Sequence, residues 1–324
     1  MSAVPGERLP PADGTTAGGE VATGGAGARR SSARPSRAPG RRLPPSLASW
    51  LLASPLALVL AVFLVVPVCL IVAVSFWAST EYSYHPAFEL DNYAYLLTSK
   101  VTLAVYAKTF GFAFVTWALT LLIGFTVAYF LAFHVRSLPM QIGLFLLCTV
   151  PFWTSNIIRM ISWIPFLGRN GLANTALLEA GLIDAPLEWL LFSDFAVVLA
   201  FVHLFTLFMI VPIFNTMMRI DRSLIEAARD AGAGGWQILW HVILPLTKPG
   251  IMIGSIFVVT LTMGDFITVR FMSGGQSASV GRVISNEIAL LQYPAASASA
   301  VVLLATVLIT IGIMLRFVDI RKEL

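Results

Sequence analysis

The sequence predicts an all-α membrane protein with six transmembrane helices. Of its 324 residues, 57% are hydrophobic and only 12% are charged, and the mean hydropathy is +0.83. A soluble domain carries about twice that charged fraction. Apolar runs long enough to cross a bilayer recur along the chain, which favours spanning helices over the short alternating segments of a membrane β-barrel. Cys69 and Cys148 both fall inside such runs and are interpreted as small hydrophobic residues.

Residues 1–45 differ from the rest of the chain. They are rich in Gly, Ala, Pro, Ser and Arg and poor in large apolar residues, which predicts a disordered cytoplasmic tail. The tail ends in arginines that would orient the first span and contact anionic lipid. Two arginine pairs before an apolar run also fit a twin-arginine export signal, although the run is longer than such signals have.

Six apolar runs, taken in order, are interpreted as the spans. The third is interrupted by Pro151 and by the polar run Thr154-Ser155-Asn156. Broken backbone at membrane depth is tolerated only where it is buried in protein or lines a wet cavity. The predicted spans are Leu56–Trp77, Thr109–Phe133, Met140–Trp163, Phe195–Met217, Ile251–Phe271 and Ala295–Phe317.

Lysines and arginines set the orientation. With the N-terminus inside, the inner segments hold 15 of these residues and the outer segments hold 6. The positive-inside rule therefore predicts that both termini are cytoplasmic, with residues 318–324 as a second tail. The same orientation places the polar stretch 218–250, between the fourth and fifth spans, in the cytoplasm.

The 218–250 insert is predicted to form two short helices. Ser223 and Glu226 fit a capping box that begins the first helix, and Gly232 fits a left-handed end. The second helix is predicted over Trp236–Leu244, with Pro245 as its stop. Its apolar face suits either a partner's groove or the lipid headgroups.

The insert resembles the "EAA loop" of the membrane permeases of binding-protein-dependent importers in the ATP-binding-cassette (ABC) superfamily. This resemblance implies a type-I importer permease fold, with a first helix and outer loop in 46–104 and a five-helix core in 105–317. It also implies that Glu226, Ala227, Ala228, Gly232 and Pro245 couple the chain to an ATPase. The matching residues are Glu226, Ala227, Ala228, Gly232, Val242, Leu244, Pro245, Pro249 and Gly250.

In detail the chain resembles the spermidine/putrescine branch, and the resemblance implies polyamine import. Permeases for iron, thiamine and phosphonates share similar patterns. One departure is Val269-Arg270, where branch members often carry a proline. The residues that carry the resemblance are Pro151 to Ser155, Ile158-Arg159, Trp163, Leu167 to Gly171, Asn174, Gly181 to Asp184 and Gly264-Asp265-Phe266.

Asp265 is placed near the middle of the predicted fifth span, where an ionised carboxylate is costly. One hypothesis is that it lines the pathway and attracts a cationic amine, with Trp153, Trp163 or Phe266 adding cation–π contacts. The alternative is an ion pair with Arg159 or Arg270.

Arg159 lies near the outer end of the third span. It suits either snorkelling to the membrane interface or a gate or binding-protein contact. His203, in the fourth span, has no second histidine spaced to join it in a haem or metal site.

The chain contains no Gly-Lys pair and so lacks a phosphate-binding P-loop. It is therefore predicted to be a non-catalytic subunit without cofactors. The resemblance implies that two copies of a partner ATPase bind the ATP and Mg²⁺. It also implies a second permease subunit, an external solute-binding protein and the bacterial inner membrane as the location; no nucleic acid is expected. An ion-coupled secondary transporter and a membrane scaffold are the rival classes.

Overall fold

The computed structural model describes residues 45–79 and 84–316, and the side chains of 53–78 and 84–316. The predicted tails therefore lie outside the described residues, apart from Pro45. The chain divides into two units, Met1–Leu56 and Ala57–Leu324. Of the first unit, the structure describes only the beginning of helix α1.

The described chain is helical apart from one two-stranded hairpin. The α-helices are α1 (Pro45–Leu60), α2 (Val66–Val74), α3 (Asp91–Thr98), α4 (Lys100–Tyr129), α5 (Leu138–Thr149), α6 (Asn156–Leu167), α7 (Leu172–Glu179), α8 (Asp194–Met217), α9 (Arg222–Asp230), α10 (Gly235–Ile238), α11 (Leu244–Gly264), α12 (Ile267–Met272), α13 (Val280–Ala289) and α14 (Tyr293–Arg316). The strands are β1 (Ala78–Ser79) and β2 (Tyr84–His85), paired antiparallel with Ala78 opposite His85. Wider π-helical turns occupy Ala61–Val65, Phe130–His134 and Leu239–Ile243, and 3₁₀ turns occupy Val150–Trp153 and Glu188–Leu190.

Five continuous helical segments of the described chain are long and apolar enough to cross a membrane. A sixth is added if Leu138–Trp153 and Asn156–Glu179, which meet at an 87° bend, count as one broken span. Every predicted span overlaps one of these segments, and the predicted break in the third span is confirmed. The five continuous segments are Ala53–Val74, Lys100–His134, Asp194–Met217, Gly235–Gly264 and Tyr293–Arg316.

The predicted bounds of the fifth span are wrong at both ends. The helix begins at Gly235 instead of Ile251 and ends at Gly264 instead of Phe271. Pro245 does not stop it, because the π-helical turn Leu239–Ile243 widens the backbone just before the proline ring. The insert and the fifth span therefore share one continuous helix.

Helix α8 forms the centre of the bundle and packs against α4 and α11. Within its most apolar stretch 44% of the residues are buried, against 11% for α14. Met209 is fully buried between two glycines. A Cβ on Gly124 of α4 would lie 2.8 Å from the Met209 Cγ, and one on Gly254 of α11 would lie 2.7 Å from its Sδ. Small residues at these positions allow the three helices to approach closely, as in membrane bundles generally.

Polar contacts tie the loop after α12 to the ends of α4 and α8 away from the insert, called the far end below. The Lys108 Nζ lies 3.0 Å from the Asp194 Oδ2, and the Ser277 hydroxyl donates to the same carboxylate. The Val280 N–H donates to the Thr109 hydroxyl at 3.1 Å. These contacts hold the segment after α11, which ends at Gly264, against the far ends of α4 and α8.

Candidate functional site

The first helix of the insert begins at an aspartate, so the predicted capping box at Ser223 and Glu226 is wrong. Asp221 is the N-cap of α9, and its Oδ1 accepts from the Ser223 N–H at 2.9 Å. A carboxylate satisfies this amide and also suits the positive end of the helix dipole. The hydrogen bonds from Ser223 hold the pKa of the Asp221 carboxyl below its ordinary value.

Gly232 ends α9 as predicted, with φ at +84°. Its N–H donates to the Arg229 oxygen at 2.8 Å, and the Ala233 N–H donates to the Ala228 oxygen at 3.0 Å. These two bonds form a Schellman motif. A Cβ at Gly232 would meet no atom within 4 Å, so the backbone angle, and not crowding, favours glycine here.

Helix α9 has one anchored face and one exposed face. Ile225 is only 9% exposed and belongs to the hydrophobic core, with the half-buried Ala228 packed against it. Glu226 and Ala227 are exposed. Of the five predicted coupling residues, Glu226, Ala227 and Gly232 are thus accessible to a partner, while Ala228 and Pro245 are partly covered.

The second arm of the insert presents two tryptophans. Trp236 is 70% exposed and Trp240 is 50% exposed, and their rings meet edge to face with centroids 5.7 Å apart. Ile243, near the end of the same arm, is buried. Beside Trp240, an apolar groove of about 410 Å³ runs between α4 and the α10–α11 helix.

A second cavity, of about 800 Å³, lies between α8 and α11 and reaches the insert. Its lining includes Asn215, Thr216 and Arg219 together with apolar residues such as Phe257. None of the five predicted pathway residues lines it. Sequence reasoning missed this cavity because it depends on the crossing of two helices.

The broken third span contains the next cluster. A 3₁₀ turn and the extended residues Thr154 and Ser155 separate α5 from α6. The Thr154 hydroxyl donates to the Pro151 oxygen at 2.8 Å, which satisfies one carbonyl at the break. Trp153 projects from this turn and is 85% exposed.

Arg159 does not snorkel to a surface, because it is only 8% exposed. Its Nη2 donates to the Asn156 Oδ1, and its Nε has no acceptor. It lines a cavity of about 300 Å³, as does His203 of α8. The Trp163 Nε1 donates to the His203 Nδ1 at 3.1 Å. The structure therefore brings Arg159, Trp163 and His203 to one place, and sequence spacing gave no signal for the histidine because it lies 40 residues from Trp163.

Asp265 lies just beyond the fifth span and not in its middle. Its Oδ1 accepts from the Thr268 N–H at 2.7 Å, so the carboxylate caps the short helix α12. Neither Arg159 nor Arg270 forms an ion pair with it among the described residues, where the two ion pairs are Lys108–Asp194 and Arg169–Glu188. Phe266 beside it is 37% exposed. Helix α12 packs against α6 and α8, so this second break lies beside α6, the helix that follows the first break.

A model of the family described as "binding-protein-dependent transport system inner membrane component" matches residues 121–321. The spermidine/putrescine transport system permease protein PotB of Salmonella typhimurium is 33% identical over 260 residues, which is 79% of this chain and 87% of that protein. PotB of Escherichia coli K12 is 32% identical over 260 residues, covering 79% and 91%.

Among solved structures, a bacterial alginate ABC transporter in complex with an alginate pentasaccharide-bound periplasmic protein contains a similar chain. The TM-score is 0.70 at 15% identity, covering 86% of this chain and 96% of that one. At that identity the likeness shows the fold alone.

Proposed function

We propose that this chain, which belongs to the family of binding-protein-dependent transport system inner membrane components, imports polyamines. It is the permease of an ABC importer and a multi-pass protein of the bacterial inner membrane. The observation that carries the choice of solute is the 33% identity to spermidine/putrescine permeases over most of both chains. Iron, thiamine and phosphonate-type solutes are the alternatives.

The proposed topology has both termini and the 218–250 insert in the cytoplasm. The distribution of Lys and Arg supports it. The insert then lies where two copies of an ATPase subunit reach it, and Glu226, Ala227 and Gly232 are exposed on the surface they would contact. In this arrangement the partner subunits bind ATP and Mg²⁺, and this chain does no catalysis.

The proposed transport mechanism is alternating access. Closure of the ATPase subunits displaces the insert, and the continuous helix Gly235–Gly264 transmits that displacement to the break at Asp265. A loaded external binding protein delivers the solute at the far end. A second permease subunit supplies the other half of the pathway, and the apolar groove beside Trp240 is one surface that a neighbouring helix would cover.

Within the pathway we assign Asp265 to the attraction of the cationic amine. The Thr268 amide donates to its Oδ1, and among the described residues no cationic side chain forms an ion pair with the carboxylate. The exposed rings of Phe266 and Trp153 are available for cation–π contacts worth about 0.5–1 kcal/mol each. Trp163 and Arg159 are assigned to the pathway at the broken third span, where the Trp163 Nε1 donates to the His203 Nδ1.

Uptake of labelled spermidine and putrescine, in cells lacking this gene and in cells with it restored, tests the solute. We expect uptake only with the gene, competed by unlabelled polyamine and not by iron, thiamine or a phosphonate. Uptake of one of those other solutes, without polyamine uptake, would overturn the assignment.

The Asp265→Asn variant tests the carboxylate separately, since asparagine keeps an oxygen for the Thr268 amide and loses the charge. An amine–carboxylate contact at intermediate dielectric is worth a few kcal/mol, so uptake should fall about tenfold or more. Wild-type uptake by a variant present at normal levels in the membrane would remove Asp265 from the pathway while leaving the solute assignment intact.

A further inference from the structure

Arg159 carries a buried charge that the described chain leaves unbalanced. The side chain is 8% exposed. Its Nη2 donates a hydrogen bond to the neutral side-chain amide of Asn156, and its Nε has no acceptor. The ion pairs among the described residues involve other groups. A buried guanidinium without a counter-charge or full hydrogen bonding is strongly unfavourable.

His203 adds a second donor at the same cavity. Because the Trp163 Nε1–H donates to the His203 Nδ1, the neutral ring carries its proton on Nε2. Thr206 also lines the cavity, but its hydroxyl already donates a hydrogen bond to the Val202 oxygen at 2.5 Å. The remaining lining is mainly aliphatic and aromatic, including Ile123 and Phe152. Donors and a positive charge in an apolar setting suit an anion and repel a metal ion.

The beginning of helix α6 adds to the positive potential. This 12-residue helix starts at Asn156, one turn before Arg159, and its N-cap Ser155 makes no side-chain cap. An uncapped helix N-terminus carries partial positive charge and favours anions.

We propose that the cavity lined by α4, α5 and its 3₁₀ turn, Arg159 of α6, and α8 binds a small monovalent anion, held by the Arg159 Nε–H and assisted by the His203 Nε2–H. Its volume of about 300 Å³ corresponds to roughly ten water molecules, which accommodates chloride or formate with some hydration. The bound anion neutralises Arg159 and stabilises the break in the third span. The site does not depend on which solute is carried.

The test is the thermal stability of the full-length chain, purified with its co-purifying subunits, in sodium chloride, sodium formate or sodium gluconate at constant total sodium. We expect a saturable rise in Tm with chloride, formate or both, relative to the bulky gluconate, because a ligand of the folded state stabilises it. The two small anions distinguish a halide site from a carboxylate site.

In Arg159→Gln the half-saturating concentration should rise about tenfold or more, and Arg169→Gln, an exposed arginine on the same broken span, should behave as wild type. If Arg159→Gln does not fold, His203→Leu should still weaken the anion effect, and bromide should appear by anomalous scattering beside the Arg159 Nε. Equal stability of the wild type in all three salts, or an anion effect retained in Arg159→Gln, would overturn the proposal.

Discussion

The 218–250 insert leaves large apolar side chains exposed, whereas the broken third span leaves a buried polar atom without a hydrogen-bond partner. In the insert the backbone is capped by Asp221 and by the Gly232 turn, while the large side chains of Trp236 and Trp240 remain exposed. In the broken span the side chain of Arg159 is buried and a polar atom lacks a partner. Exposed apolar surface on a rigid backbone suits a protein partner. A buried, unsatisfied polar group beside a cavity suits a small ligand.

The two regions are also connected differently. The insert continues directly into α11, so that displacement of one moves the other. The broken span approaches the far end of α11 through α12, which follows α11 and packs on α6. Substitutions in α11 should therefore affect both regions, whereas substitutions within one region should leave the other unchanged.

Gly250→Leu should have the largest effect on folding, because the leucine side chain would force α11 away from α8. A Cβ at this position would lie 3.0 Å from the Ile213 Cα and closer still to the Pro212 oxygen and the Thr216 Oγ1. Overpacking costs about 1–3 kcal/mol, and more where backbone must move. We expect little folded protein by fluorescence-detected size exclusion. Gly312→Leu is the control, since a Cβ there meets nothing within 4 Å; comparable yields of the two variants would contradict the close α8–α11 contact.

Gly232→Ala should affect the insert alone. A residue with a Cβ at this left-handed position costs about 1–2 kcal/mol, so the turn should loosen and ATPase binding should weaken about fivefold to tenfold. Pull-down of the partner ATPase measures the loss of binding. Gly235→Ala, which lies three residues further at an ordinary backbone angle, is the matched control. Unchanged ATPase binding in Gly232→Ala would remove the coupling role of this turn.

Trp163→Phe should affect the broken span alone. It removes the N–H that donates to His203 while keeping an aromatic ring against Phe166. A net hydrogen bond is worth about 1 kcal/mol, which lowers Tm by roughly 1–2 °C in a chain of this size. Trp189→Phe, whose ring contacts Phe195, should leave Tm unchanged. A loss of ATPase binding in Trp163→Phe would show that the two regions are not independent.

Asp221→Asn should give the smallest effect, visible only through its pH dependence. Because the folded-state pKa of Asp221 lies below its ordinary value, the charged carboxylate stabilises α9 at neutral pH. That stabilisation is lost as the pH falls through the lowered pKa. Hydrogen exchange of the first amides of α9 should therefore accelerate in acid in the wild type and depend less on pH in Asp221→Asn. If the wild type and Asp221→Asn show the same acceleration of exchange in acid, a titratable group other than Asp221 causes it.

Local chemistry made much of this protein predictable. The apolar runs gave the number of candidate spans, since hydrocarbon thickness fixes their length. The run Thr154-Ser155-Asn156 correctly indicated a break, and Gly232 correctly indicated a helix end. Each of these features is determined by residues that are contiguous or close in the sequence.

Only the tertiary structure decided the rest. The helix runs through Pro245 because a π-helical turn and packing against α8 support it, and local propensity alone predicts a stop there. Arg159 is buried, and His203 accepts from Trp163, because α6 and α8 lie side by side. Such contacts join residues far apart in the chain, and their positions depend on how the helices pack, which periodicity and caps do not encode.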